Sequence, residues 1–195
     1  MLISAEFVTS AAGNDDFPKE RLPEVALVGR SNVGKSSLLN ALMRQSLART
    51  SAAAGKTRLA NFYRVKRGTA AALFLVDLPG YGYARGGDTS AREFNRLAES
   101  YFSRPGQRGV ILLVDSRHPG LESDVEAWRW LESQPWPRAV IGTKVDKLTR
   151  AERARHARQF ETLFDIPVPL VSVHTGEGLD ELWKTIVNLP KATAA

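Results

Sequence analysis

The chain has 195 residues, of which 43% are hydrophobic, and these values are typical of one globular domain with a substantial core. The absence of cysteine excludes disulfides, a thiol nucleophile, thiolate metal sites and prenyl or palmitoyl anchors. A formal net charge of +6 favours a polyanionic partner such as RNA or DNA, and a basic surface without a dedicated partner is the alternative.

Predicted strands alternate with predicted helices along the chain. Apolar runs recur at intervals of about 25 to 35 residues, which indicates an α/β protein with a mostly parallel sheet. One run, Leu59–Val65, alternates apolar and polar residues, so we expect an antiparallel edge strand beside Ala70–Val76. In chain order the predicted strands are Ser4–Thr9 (a short extra strand), Val25–Val28, Leu59–Val65, Ala70–Val76, Val110–Val114, Ala139–Ile141 and Val168–Val171.

Three capping boxes predict where helices begin. In this pattern a Ser or Thr and a Glu three residues later bind backbone N–H groups that the first helical turn leaves unpaired. The pairs are Ser90 with Glu93, Ser123 with Glu126, and Thr149 with Glu152. They predict helices at about 91–102, 124–133 and 150–164, and Leu179–Asn188 is the last predicted helix.

The segment Gly29–Ser36 fits the phosphate-loop pattern G-x-x-x-x-G-K-[ST]. It follows a predicted strand and precedes a helical run, Ser37–Leu42. We expect its backbone N–H groups to surround phosphates, Lys35 to reach the β- and γ-phosphates, and Ser36 to bind Mg²⁺. A glycine turn that binds nothing is the alternative.

Asp77 and Gly80 follow the next apolar strand as part of D-x-x-G. Ligands of open α/β sheets lie at the carboxyl ends of the strands. We expect Asp77 to hold Mg²⁺ through a water and the Gly80 N–H to contact a γ-phosphate. Thr57, between the two motifs, is the candidate for the remaining metal ligand and for a γ-phosphate sensor.

The segment Thr143–Asp146 predicts guanine as the base. The Asp146 carboxylate can accept hydrogen bonds from guanine N1–H and its exocyclic amino group, whereas adenine would leave it unpaired. Lys144 would lay its stem along the base. Ser172–His174 lies where backbone N–H groups would contact the guanine O6. A helix cap or surface charge for Asp146, and an ordinary loop histidine for His174, are the alternatives.

These motifs resemble those of the EngB (YihA/YsxC) family of bacterial ribosome-biogenesis GTP-binding proteins, in the TrmE-Era-EngA-EngB-Septin-like class of P-loop GTPases. The likeness spans roughly 25–185, and the stretches that carry it are Ser31–Leu38, Gly55–Thr57, Asn61–Tyr63, Asp77–Ala84, Val114–Pro119 and Thr143–Leu148. The chain departs from the family pattern at Ala53–Ala54, where Thr-Pro is usual, and at Arg58, where Gln is common.

The resemblance implies a three-layer, Ras-like G domain with a mostly parallel sheet of about six strands, one antiparallel edge strand, and helices on both faces. It implies residues 1–22 as an N-terminal extension, 23–190 as the G domain and 191–195 as a short tail. The implied function is a nucleotide-dependent switch in large (50S) ribosomal subunit assembly, linked to normal cell division and septation. We expect a cytoplasmic monomer that binds the large subunit through rRNA and ribosomal proteins and has no membrane association.

The resemblance also assigns the binding residues and their roles. Gly55 joins the GTP-binding set, and Asn32 is a candidate ligand for K⁺ beside the phosphates, with a plain turn residue as the alternative. The predicted catalytic residues are Lys35, Thr57, Gly80 and Asn32, and the predicted metal ligands are Ser36, Thr57 and Asp77. The predicted GTP-binding residues are Gly29, Arg30, Ser31, Asn32, Val33, Gly34, Lys35, Ser36, Ser37, Gly55, Thr57, Asp77, Gly80, Thr143, Lys144, Asp146, Ser172, Val173 and His174.

Tyr81 stands where many GTPases carry a Gln that orients the attacking water, so slow intrinsic hydrolysis is expected. Packing of the switch is an equal alternative for Tyr81. Two rival functions remain: an ATP-dependent kinase, which leaves Thr143–Asp146 unexplained, and a ribosome-binding module that uses guanine nucleotide as a structural ligand with negligible hydrolysis. Candidate contacts to rRNA phosphates are Arg92, Arg96, Arg104, Arg108 and Arg117.

Overall fold

The computed structural model describes residues 2–48, 59–81 and 96–191. The strands are β1 (Ile3–Ala11), β2 (Glu24–Gly29), β3 (Ala60–Arg67), β4 (Leu73–Asp77), β5 (Arg108–Asp115) and β6 (Arg138–Thr143). The helices are α1 (Lys35–Met43), α2 (described over 96–102), α3 (Glu122–Glu132), α4 (Arg150–Phe164) and α5 (Leu179–Asn188).

The described strands form one six-stranded sheet in the order β1-β3-β4-β2-β5-β6. The pairs β4/β2, β2/β5 and β5/β6 are parallel, and β3 is antiparallel to both β1 and β4. The predicted mostly parallel α/β sheet is therefore confirmed. The position of the antiparallel strand differs from the prediction. β1 pairs with β3 and is the edge strand, so the antiparallel strand β3 lies second from the edge.

Two other predicted strands differ from those of the structure. The segment Val168–Val171 makes only an isolated bridge between Leu170 and Gly142, so the described part of the sheet ends at β6. The strand predicted from Ala70 begins at Leu73, because the turn after β3 extends to Ala70, whose N–H bonds the Arg67 carbonyl at 3.1 Å.

Apolar residues on the two faces of the sheet form two separate cores. One core packs α1 and α5 against the sheet, through side chains such as Leu38 and Trp183. The other packs α2, α3 and α4 on the opposite face, through Tyr101, Trp128 and Phe160. This is the predicted arrangement of a sheet with helices on both faces. In the described ranges no helix is long and apolar enough to cross a lipid bilayer.

The helix starts test two of the capping boxes. Helix α4 begins as predicted, with Thr149 and Glu152 making both reciprocal bonds of the box. The box predicted at Ser123 is wrong, because α3 begins at Glu122 and its N-cap, Leu121, makes no side-chain cap bond. The box at Ser90 lies outside the described residues.

Of the arginines proposed to contact rRNA, Arg108 is buried and Arg104 is half-buried. Arg108 is only 3% exposed, and Arg104 stacks over the Phe17 ring at 4.2 Å. Both face Glu24 at the start of β2, at 2.9 Å for Arg104 and 3.6 Å for Arg108. Both guanidinium groups therefore pair with Glu24 within the fold, although Glu24 Oε2, Arg104 Nη1 and Arg108 Nε are buried without a hydrogen-bond partner among the described residues. Arg92 lies outside the described residues, and Arg96 is exposed.

Candidate nucleotide-binding site

The phosphate loop joins the end of β2 to the start of α1. Gly34 caps α1 in the left-handed region, at φ 107°, and supplies no side-chain cap bond, a conformation that favours glycine. The first N–H groups of α1 are thus available to an anion, and the helix dipole favours negative charge there. Gly29 is equally constrained, since a Cβ on it would lie 2.8 Å from the Leu113 carbonyl oxygen.

Lys35 lies against its own loop. Its Nζ is 3.2 Å from the Gly29 carbonyl oxygen and 3.5 Å from that of Arg30. Burial lowers the pKa of Lys35, and the nearby Asp77 carboxylate partly opposes that change. The ammonium group is therefore held at the loop by weak carbonyl contacts that a phosphate, with its full negative charge, would replace favourably.

Ser36 and Asp77 form the centre of the candidate metal site. Asp77 is 2% exposed, its Oδ2 lies 3.3 Å from Ser36 Oγ, and its Oδ1 is buried with no hydrogen-bond partner. Burial raises the pKa of Asp77 to about 6, against the opposing effect of Lys35. A hydroxyl beside an unsatisfied buried carboxylate suits Mg²⁺, which prefers oxygen ligands and keeps several waters.

The protein supplies few of the ligands that a metal would need. Within 2–48, 59–81 and 96–191, no group of three or more His, Cys, Asp or Glu side chains could hold a metal ion. Mg²⁺ commonly uses one or two protein ligands together with substrate phosphates and water, and Ser36 with Asp77 fits that pattern. Thr57 and Gly55 lie outside the described residues.

The strand end after Asp77 packs directly on the phosphate loop. A Cβ on Gly80 would lie 2.8 Å from the Ser31 backbone nitrogen and 3.0 Å from Lys35 Nζ. Tyr81 then forms a bridge to the loop, donating its N–H to the Gly29 carbonyl at 3.3 Å and accepting from Ser31 N–H at 3.2 Å. Gly80 is thereby placed beside the ammonium group of Lys35.

The Tyr81 side chain faces α3. Its hydroxyl donates to Asp124 Oδ1 at 2.8 Å, and Asp124 is 2% exposed. Burial raises the pKa of the Tyr81 phenol, and the Asp124 charge adds to that effect. The hydroxyl is therefore occupied by α3, which favours the packing alternative for Tyr81. Asp124 is not among the predicted site residues, because nothing local to α3 indicates a partner in another loop.

The motif predicted to recognise the base follows β6. Asp146 accepts a hydrogen bond from the Ser172 hydroxyl at 2.7 Å, and this bond is the main cause that lowers the pKa of Asp146. Ser172 is fully buried, whereas Val173 and His174 are exposed. The predicted pair of base-contacting segments, at 143–146 and 172–174, thus meets at one edge of the sheet, with Asp146 held ionised.

Thr143 and Lys144 tie this motif to the phosphate loop. The buried Thr143 hydroxyl lies 2.8 Å from the Val33 carbonyl oxygen, and Lys144 Nζ donates to the Asn32 carbonyl at 2.7 Å. Asn32 has φ 65°, a left-handed conformation that Asn tolerates better than most residues. The turn alternative for Asn32 therefore has a structural reason, and its role toward K⁺ stays a prediction.

Asp115 and Arg117 complete the network; Asp115 is absent from the predicted site residues, and Arg117 is predicted only as a contact to rRNA phosphates. Asp115 ends β5 and accepts from Lys144 Nζ at 2.9 Å and from Arg117 Nε and Nη2 at 2.9 and 2.7 Å. These bonds outweigh burial and lower the pKa of Asp115. The rule that selected Asp77, a carboxylate at the carboxyl end of a parallel strand, also selects Asp115.

A phosphate loop, a buried carboxylate beside Ser36 and the motif predicted to bind guanine lie at the carboxyl ends of the parallel strands, which is the arrangement of a P-loop GTPase. The family model described as 50S ribosome-binding GTPase matches residues 24–144. A probable GTP-binding protein EngB from Pelotomaculum thermopropionicum is 48% identical over 193 residues, which cover 94% of this chain and 93% of that protein. One from Heliobacterium modesticaldum is 46% identical and covers 91% and 88%. The chain belongs to the EngB family of GTP-binding proteins.

Solved structures agree with the fold. Era in complex with MgGDPNP and nucleotides 1506–1542 of 16S ribosomal RNA is similar with a TM-score of 0.75 and 24% identity, over 87% of this chain and 57% of that one. A probable GTP-binding protein EngB has a TM-score of 0.63 and 18% identity, over 86% and 98%. At these identities the likeness concerns the fold alone.

Proposed function

We propose that the protein is a GTP-hydrolysing switch that acts in large (50S) ribosomal subunit assembly and thereby supports normal cell division and septation. The observation that carries the proposal is the buried, unpartnered Oδ1 of Asp77 beside Ser36 and the phosphate loop. Such an atom is costly in an isolated fold, and a Mg²⁺ ion held with a nucleotide would satisfy it. Membership of the EngB family and the description of the matching family model support the ribosomal part.

In this proposal each part of the site has one task. The phosphate loop and α1 bind the phosphates, Lys35 reaches the β- and γ-phosphates, and Ser36, Asp77 and Thr57 hold Mg²⁺, which neutralises phosphate charge. Asp146 selects guanine, with Lys144 along the base and the 172–174 segment at its O6. Gly80 and Thr57 sense the γ-phosphate, so GTP and GDP order the adjoining segments differently.

Intrinsic hydrolysis is slow in this proposal, on the order of 10⁻⁴ to 10⁻² s⁻¹ by analogy with unassisted GTPases. Support comes from Tyr81, which replaces the water-orienting Gln and whose hydroxyl is bonded to Asp124. K⁺ at Asn32 would offset developing charge, so turnover in potassium salts should exceed turnover in sodium salts. Equal rates would remove Asn32 from the catalytic set.

The proposed protein is a cytoplasmic monomer whose partners are rRNA and ribosomal proteins of the large subunit. The decisive experiment is co-sedimentation with purified large subunits at saturating GTP analogue or GDP. Preferential binding of the GTP-analogue form is the expected result, and equal binding of both forms would refute a switch. Single-turnover GTP cleavage separates it from a module that uses the nucleotide only as a structural ligand, which would show no cleavage.

A further inference from the structure

A small polar cavity lies between the phosphate loop and the loop that joins β5 to α3. Its volume is about 200 Å³, and its lining includes Arg30, Asn32, Asp115, Arg117, His118 and Lys144. A water molecule occupies about 30 Å³ in the liquid, so the cavity has room for one phosphate group and a few waters. None of the tasks assigned above uses Arg117 or His118.

The cavity carries an excess of positive charge. Three cationic side chains line it, Arg30, Arg117 and Lys144, against one carboxylate, Asp115. A second carboxylate, Asp124, lies near enough to Arg30 to interact with it electrostatically, but it is buried and bonded to Tyr81. A third carboxylate, Asp146, interacts with Arg117, and Lys147 Nζ lies 3.5 Å from it. With the three carboxylates ionised, the four cations Arg30, Arg117, Lys144 and Lys147 leave the balance positive by one charge.

Arg117 has donors left for an anion. Asp115 occupies its Nε and Nη2, so Nη1 is not used by that carboxylate, and 42% of the side chain is exposed. Asp115 holds the guanidinium in one orientation at the cavity, which lowers the entropy cost of binding a further oxygen. His118, next in the chain, is exposed and adds a ring nitrogen at the same rim.

We propose that this cavity binds a phosphate group of an RNA backbone. Guanidinium groups match phosphate oxygens in geometry and charge. The described lining has no Phe, Tyr or Trp side chain and carries three cationic ones, which favours a backbone contact without sequence preference over base readout. The inference rests on the proposed function, which makes rRNA a partner, and it places one rRNA phosphate in the cavity beside Arg117.

The test compares the full-length wild-type chain with Arg117→Gln in binding to naked large-subunit rRNA, at saturating GTP analogue so that nucleotide affinity does not interfere. One lost phosphate contact should lower affinity at least about threefold at ~0.1 M salt and reduce the slope of log K against log[salt] by about 0.7 to 0.9. Arg117→Lys keeps the charge without the guanidinium fork, so it should keep the slope and bind with intermediate affinity.

Arg158→Gln is the matched control, since Arg158 is an exposed arginine on α4 outside the cavity lining. It should leave both quantities close to the wild-type values. Equal effects of Arg117→Gln and Arg158→Gln would overturn the proposal, because only net charge would then matter. Absence of rRNA binding by the wild-type chain would also overturn it.

A second measurement separates an RNA phosphate from free phosphate. The chain has three histidines, so the His118 ring signals can be assigned by NMR and followed during titration with inorganic phosphate and with rRNA fragments. Saturable shifts with both ligands, lost in Arg117→Gln, support the site, whereas a response to inorganic phosphate alone would overturn the RNA assignment. If large subunits fail to co-sediment but Arg117 still controls binding to naked rRNA, the proposed function fails and the phosphate site stands.

Discussion

Gly80→Ala is the sharpest test of the proposed γ-phosphate sensor. The added Cβ would approach the Ser31 backbone nitrogen to 2.8 Å and Lys35 Nζ to 3.0 Å. The flexible end of Lys35 can move, but the Ser31 atom is a backbone nitrogen whose N–H donates to the Tyr81 carbonyl. The new methyl group therefore has to push the strand end and the phosphate loop apart.

The cost of this displacement can be estimated. Adding a methyl group to a well-packed site typically costs about 1 to 3 kcal/mol, and each 1.4 kcal/mol is a factor of about ten in affinity. We therefore expect affinity for a non-hydrolysable GTP analogue to fall by about five- to a hundredfold. The affinity for GDP should fall less, because the proposed contact of Gly80 is with the γ-phosphate.

The assay is titration of a fluorescent GDP and a fluorescent GTP analogue, with thermal unfolding measured in parallel. Gly13→Ala is a suitable control, since a Cβ there meets nothing within 4 Å and its φ of −176° is extended. A Gly80→Ala protein that binds the GTP analogue as tightly as Gly13→Ala does would refute the packing argument. An equal loss for GDP would place the effect on the phosphate loop as a whole.

Three further substitutions test the rest of the site. Asp146→Asn replaces an acceptor oxygen with a donor, so we expect at least about tenfold weaker GTP binding and tighter binding of xanthosine triphosphate. Competition between the two nucleotides measures both affinities, and an unchanged preference for GTP would contradict the guanine assignment. Asp77→Asn should raise the unfolding free energy of the nucleotide-free protein by about 1 to 3 kcal/mol, because a buried charge is removed. The dependence of GTP binding on Mg²⁺ should disappear in the same variant, and a retained Mg²⁺ dependence would count against Asp77 as a metal ligand. Tyr81→Phe leaves buried Asp124 without its donor and should destabilise the fold by about 1 to 3 kcal/mol. The rate of GTP cleavage should change less than about threefold, and a larger loss of cleavage at unchanged stability would indicate a catalytic role for the phenol.

The parts that the sequence predicts well are those whose chemistry lies within a few consecutive residues. Helices α4 and α5 begin and end where the capping box and the apolar pattern placed them, at Arg150–Phe164 and Leu179–Asn188. Gly34 meets a need that is local to the phosphate loop, a φ of 107°. In these places local propensity and fold agree, which is the usual condition in natural sequences.

What the sequence alone could not provide is the direction in which a side chain turns. Arg108 counts as a surface charge in the composition, yet Glu24 and the Tyr101 ring hold it inside. Tyr81 stands in the position of a catalytic Gln, yet its hydroxyl bonds Asp124, which is 43 residues further along the chain. Each outcome depends on a partner distant in sequence, because side chains pair across elements that only the folded sheet brings together.

Asp115 is not among the predicted site residues, although a rule based on the sequence could have selected it. The strand-end argument that selected Asp77 applies equally to Asp115, and both are buried carboxylates at the same edge of the sheet. Their environments separate them: Asp77 keeps an unpaired oxygen, whereas Asp115 is bonded by Lys144 and Arg117. The unpaired oxygen of Asp77 indicates a site for a cation. The paired carboxylate of Asp115 holds cationic side chains that an anion can approach. In the two proposals, the same residue type at the same kind of strand end serves opposite ligand chemistries, a cation at Asp77 and an anion near Asp115.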